Sequence, residues 1–142
     1  MNSYSDKDVG KLNEFLKNEI AAVETYSQCI EKSAGSATLP SLLELRQSHA
    51  GRAQLLRDRI VALGGTPAEG SGVWGSFAKL VEGGAKPFGE KAALSALEEG
   101  EDKGLEDYSE IDDLSDATRQ FVTSMLLPEQ QRSHAAMSRI SH

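Results

Sequence analysis

Gly100-Glu101-Asp102-Lys103-Gly104-Leu105-Glu106-Asp107-Tyr108-Ser109 is acidic, yet it reads as part of an amphipathic helix. Leu94, Leu97, Glu101, Leu105 and Tyr108 follow steps of three and four, the spacing that places side chains on one helical face. Glu101 therefore interrupts an apolar stripe. A carboxylate turned toward a core is costly unless a cation or hydrogen-bond donors meet it. The rest of the chain has to supply those partners.

A second stretch carries the same anomaly. Glu19-Ile20-Ala21-Ala22-Val23-Glu24-Thr25-Tyr26-Ser27 aligns with residues 101–109 and shares both glutamates, the tyrosine and the serine. Ala22 and Gly104 are small at the same position, which lets a neighbouring group come close. Further on, Ser48-His49-Ala50 repeats as Ser133-His134-Ala135. The separation from Glu to His is 30 residues in one half and 33 in the other. Two matches in the same order point to a duplicated helical hairpin. A pseudo-two-fold axis would then bring Glu19, His49, Glu101 and His134 to the middle of a four-helix bundle.

The helices follow from periodicity and stop signals. Helix 1 is expected over about 6–33, opened by a capping box at Ser5 and Asp8. Its stripe is Leu12, Phe15/Leu16, Glu19, Val23, Tyr26 and Ile30. Helix 2, about 39–63, carries Leu42, Leu45, His49, Arg52/Ala53, Leu56, Ile60 and Leu63, with a second capping box at Ser41 and Glu44. Gly64-Gly65-Thr66-Pro67 stops it. The Gly-rich connection 64–89 is long enough to travel the length of a bundle. Val73, Phe77, Leu80 and Val81 predict a short helix within it. Helix 3 is expected over about 90–112 and helix 4 over about 115–140, with Pro128 kinking the latter. The stripe of helix 4 includes Phe121/Val122, Met125/Leu126, Leu127, Gln130, His134 and Met137.

Composition narrows the function classes. The formal charge is −7, and residues 90–113 alone carry ten acids against two lysines. Nucleic acid and anionic membranes need a basic face, so neither is an expected partner. Cys29 is the single cysteine, which rules out an intramolecular disulfide and a Cys-based zinc site. No apolar signal segment follows the polar N-terminus, and a cytoplasmic, bacterial-type protein is the expectation. Trp74 and Phe77 suggest a homodimer contact, since aromatics are enriched in interfaces.

The chain resembles the ferritin-like proteins, and more narrowly a bacterial ferritin-like family of unknown function. The residues that carry the resemblance are Leu-Asn-Glu-Phe-Leu-Lys-Asn-Glu at 12–19, Leu-Gly-Gly at 63–65, Ser-Gly-Val-Trp-Gly at 71–75, Gly-Glu-Asp at 100–102 with Tyr108, and Arg-Ser-His at 132–134. The resemblance implies an all-α, antiparallel four-helix bundle with a long crossover between helices 2 and 3. In relatives such as rubrerythrin and bacterioferritin, two helices each give one Glu and the other two each give a Glu-x-x-His pair to a two-metal centre. Glu19 and Glu101 match the single glutamates; His49 and His134 match the histidines. Arg46 and Gln131 stand where the paired glutamates belong. Glu98, one turn before Glu101, could supply one missing ligand.

Two readings stay open from the sequence. In one, Glu19, His49, Glu98, Glu101 and His134 hold Fe, Mn or Zn, with Tyr26 and Tyr108 as neighbouring donors. The protein would serve metal handling or oxidative stress, and a redox-active metal would make it a peroxide- or oxygen-reacting oxidoreductase. In the other, the core is polar and metal-free, neutralised by Arg46, and the protein is a structural or partner-binding bundle.

Overall fold

The computed structural model describes residues 3–71 and 90–141. Every regular element among them is helical. The helices are α1 (Ser3–Lys32), α2 (Leu39–Ala62), α3 (Glu90–Ser109), α4 (Asp116–Phe121) and α5 (Leu127–Ser141), with a π-helical turn, Val122–Leu126, joining the last two. The α4–π–α5 run is the fourth helix of the bundle.

Each helix buries one stripe. On α1 it is Leu12, Phe15, Leu16, Glu19, Ala22, Tyr26 and Cys29; on α2 it is Leu42, Leu45, His49, Arg52, Ala53, Leu56 and Ile60. These stripes form two apolar clusters. One holds Leu12, Phe15, Leu56, Ile60, Tyr108 and Val122. The other holds Tyr26, Cys29, Leu42, Leu45, Leu97 and Met137. The buried polar residues Glu19, His49, Arg52, Glu101, Gln130 and Ser133 lie on the same stripes, in sequence positions between the residues of the two clusters.

The turns differ in part from the sequence signals. Gly35 and Gly64 have φ of 82° and 84°, the left-handed conformation that ends helices at low cost. Gly65 lies against Val9, whose side chain leaves no space for a Cβ. Asn13 then binds the chain leaving α2, donating to the Thr66 carbonyl and accepting from Ala68 N–H. Neither helix starts where its expected capping box would place it. Helix α1 already runs from Ser3, and the Asp8 carboxylate caps another helix. It accepts from Ser115 N–H, Ser115 Oγ and Thr118 Oγ1 at the start of α4. Helix α2 starts at Leu39 with no side-chain cap, and Glu44 pairs with Arg132 instead.

Pro128 was expected to kink the fourth helix, and the structure absorbs it in the π-turn. Leu127 N–H reaches back five residues to the Val122 carbonyl. This widening makes room for a ring that cannot donate and would crowd the preceding turn. The hydroxyls of Thr123 and Ser124 bond to the Arg119 and Gln120 carbonyls along the same stretch. The expected crossover helix, with Trp74 and Phe77, lies outside the described residues. No described helix is long and apolar enough to cross a membrane.

Candidate functional site

His49 stands between the two anomalous glutamates. Its Nδ1 is 2.5 Å from Glu19 Oε1 and its Nε2 is 2.6 Å from Glu101 Oε2. Neutral imidazole has one N–H, so only the imidazolium donates to both carboxylates. Burial would push the His49 pKa down, but Glu19 and Glu101 outweigh it and raise the value above normal.

The tyrosines of the repeat cross over. Tyr26 donates to Glu101 Oε2 at 2.6 Å, and Tyr108 donates to Glu19 Oε2 at 2.5 Å. Each tyrosine thus serves the glutamate of the other half. Burial followed by the facing carboxylate holds both phenols well above their usual pKa, so they act as donors.

Arg52, one turn after His49, completes the cluster. It is only 1% exposed. Its Nε lies 3.4 Å from Glu19 Oε2, within ion-pair range, although without the alignment of a hydrogen bond. Nη1 donates to Gln130 Oε1 at 2.6 Å and Nη2 to Ser133 Oγ at 3.2 Å. Both neutral residues pass the contact on to Glu101 Oε1, from Gln130 Nε2 at 2.9 Å and from Ser133 Oγ at 2.7 Å. Nη2 also lies 2.9 Å from His49 Nδ1. Because Nδ1 gives its proton to Glu19, this last approach is a close contact rather than a hydrogen bond.

All four carboxylate oxygens therefore accept hydrogen bonds. Burial pushes the Glu101 carboxyl up, but His49, Ser133 and Tyr26 more than reverse this and bring it down to about 2. Burial acts on Glu19 in the same way, and His49, Arg52 and Tyr108 leave its pKa below normal. Two carboxylates, one imidazolium and one guanidinium sum to zero formal charge. The buried group is electroneutral with protein side chains alone, the condition under which buried charges are tolerated.

Gly104 makes the second half possible. A Cβ there would fall 2.4 Å from Gln130 Nε2, displacing the amide that binds both the carbonyl and the carboxylate of Glu101. The close-approaching group expected at this small residue is the Gln130 side chain. Beside the cluster lies a cavity of about 30 Å³ lined by Ala22, Leu97, Tyr26, Tyr108 and Gly104, among others, which is room for a water molecule.

Of the ligands read from the sequence, Glu19, His49 and Glu101 come together and two do not. His134 is turned outward, with Nε2 2.6 Å from Asp102 Oδ1. The interval from Gln130 to Met137 covers two turns, and its midpoint falls between positions 133 and 134. The structure puts Ser133 inside. Glu98 accepts from Ser141 at 2.7 Å, away from His49. Glu129 is held by Ser48 and Arg132 and does not turn inward. Arg46, expected to neutralise the core, donates to Ser27 at 3.2 Å on a half-buried face, because Leu45 takes the inward position. The core cation is Arg52. Sequence reading placed Arg52 and Gln130 on their stripes but gave them no role, and it overlooked Ser133. The missed signal is a spacing. His49 and Arg52 follow Glu19 by 30 and 33 residues, and Gln130 and Ser133 follow Glu101 by 29 and 32. Among the described residues, no three His, Cys, Asp or Glu side chains are arranged to hold a metal ion.

The comparisons with known proteins agree with this fold. The family described as Domain of unknown function (DUF2383) matches residues 7–113. No curated protein matches the chain. A solved structure described as ferritin like, diiron-carboxylate proteins from Bacillus anthracis str. Ames superposes with a TM-score of 0.79 at 15% identity, covering 100% of each chain. The fold is ferritin-like, and the chain belongs to the DUF2383 domain family.

Proposed function

We propose that this protein is a metal-independent ferritin-like bundle, a non-catalytic scaffold whose central polar cluster fixes the four helices against one another. The observation that carries this reading is Arg52. A permanently charged guanidinium lies buried against Glu19 and, through Gln130 and Ser133, against Glu101. A ferritin-like two-metal centre draws on four glutamates and two histidines, whose carboxylates balance two divalent ions. Here two carboxylates face two side-chain cations. The donor set does not fit a two-metal centre, because adding metal charge would unbalance a group that is already neutral and whose carboxylate oxygens all accept hydrogen bonds.

A second reading draws on the diiron-carboxylate description of the structural neighbour and on the three helices that bring Glu19, His49 and Glu101 together, which would have to turn from their mutual hydrogen bonds to face one ion. It assigns them a single Fe, Mn or Zn ion and a role in metal handling or oxidative stress. One experiment separates the two. The protein is purified without a His-tag from cells supplemented with Fe, Mn and Zn, and its metal content and melting temperature are measured with and without chelator. Metal at trace level and a melting temperature indifferent to chelation are the expected results. About one metal per chain, lost in Glu101→Ala, would overturn the scaffold reading in favour of the mononuclear site.

A further inference from the structure

The two halves of the polar cluster have the same internal spacing. From α2 come His49 and Arg52, three residues apart; from α5 come Gln130 and Ser133, also three apart. Residues at this spacing share a helix face, and it is the spacing of the Glu-x-x-His pairs in two-metal ferritin-like centres. Both members of both pairs are buried and touch the cluster. The pairs suggested by the sequence, at 46/49 and 131/134, do not satisfy that geometry. Arg46 donates to Ser27, Gln131 is exposed, and His134 binds Asp102.

We infer that positions 49, 52, 130 and 133 stand where two-metal ferritin-like centres carry their ligand pairs, and that the Arg52 side chain takes the place of the metal charge as a built-in counter-cation. The inference rests on the metal-independent reading of the native protein. It goes further by assigning a latent cation site to defined positions. The cluster has two glutamates converging on one imidazole, and the guanidinium occupies the volume beside them. Replacing that guanidinium by imidazole, and placing a second imidazole at 133, gives two carboxylates and three nitrogen donors. A divalent transition ion then restores electroneutrality, and mixed oxygen and nitrogen donors suit Co(II) and Zn(II).

The test compares two designs. Arg52→His/Ser133→His follows the structure. Arg46→Glu/Gln131→Glu follows the sequence, since it builds Glu-x-x-His pairs ending on the natural His49 and His134. Co(II) is titrated into each and into the wild type, read by visible absorption, with Zn(II)-dependent melting temperature as a second readout. The structural design is expected to bind about one Co(II) per chain, and the sequence design none. Uptake by the sequence design, with the structural design folded and empty, would overturn the inference. Should the structural design fold only with Co(II), recovery of helical circular dichroism on metal addition supports it equally. If it folds in neither condition, Arg52→Gln, which is neutral and similar in reach, takes its place. Its Co(II) uptake above wild type supports the inference, and the absence of uptake overturns it. Stoichiometric Co(II) in the wild type would instead defeat the metal-independent reading, leaving the two designs to decide the ligand positions.

Discussion

The two halves of the repeat present their glutamates to different chemistry. Glu19 faces both cations, His49 directly and Arg52 at 3.4 Å. Glu101 faces His49 and a set of neutral donors: Tyr26, Gln130 and Ser133. Helix α2 contributes both positive charges of the cluster, and α5 contributes none. The two halves therefore share a geometry while dividing the labour. One second helix balances the charge, and the other completes the hydrogen bonds. Neutral donors suffice at Glu101 because His49 reaches across to it, so the asymmetry depends on one shared imidazolium.

The largest test of that division is Arg52→Met. It leaves two buried carboxylates with a single cation, and loss of one partner from a buried ion pair costs about 3–5 kcal/mol. Against a total stability of about 5–15 kcal/mol, thermal or denaturant unfolding should register it at once. A loss below about 1 kcal/mol would mean that Arg52 does not balance the charge.

Acid titration probes the neutral half. Glu101 has a folded pKa of about 2 against a usual value of 4.5. Its contribution is complete above pH 4.5 and is lost as the pH falls toward 2, on the order of 3 kcal/mol. His49 has the opposite sign. Its pKa is raised above 6.5, so its contribution is complete below pH 6.5 and fades as pH rises through the raised value. Melting temperature should peak between these limits, and His49→Gln should flatten the alkaline limb. An unchanged alkaline limb in that variant would remove the imidazolium from the account.

Gly104→Ala sharpens the comparison within the second half. Losing the Gln130 bonds to Glu101 costs about 1–3 kcal/mol, while alanine regains up to about 1 kcal/mol of helix propensity. A net destabilisation of about 1–2 kcal/mol is expected. Net stabilisation would show that Gln130 can move aside freely. The smallest effect belongs to His134→Ala, which removes an exposed pair with Asp102 worth about 0–1 kcal/mol. A loss as large as that of Arg52→Met would place His134 in the core after all.

Much of the bundle is legible in the sequence. Steps of three and four, glycine stops and the Glu-Tyr repeat mark the helices and their pairing, because helical geometry imposes those periods whatever the tertiary contacts. Glu19, His49 and Glu101 were visible for the same reason: a polar residue on an apolar stripe must be met by a partner. Asp8 was misread because a carboxylate near a helix start fits a local cap, and only the fold brings Ser115 and Thr118 to it.

The sequence by itself determined that two carboxylates would be buried and that the chain would fold as a helical bundle around them. Only the tertiary structure decided their partners. Arginines stand about one turn to either side of His49, Arg46 before it and Arg52 after it, and the neighbours Ser133 and His134 both follow Gln130 by about one turn. The faces on which the helices pack select between them, burying Arg52 and Ser133 and leaving Arg46 to Ser27 and His134 to Asp102. A difference of one residue rotates a side chain by about 100°, enough to exchange a histidine for a serine at the centre and leave the glutamates with a guanidinium.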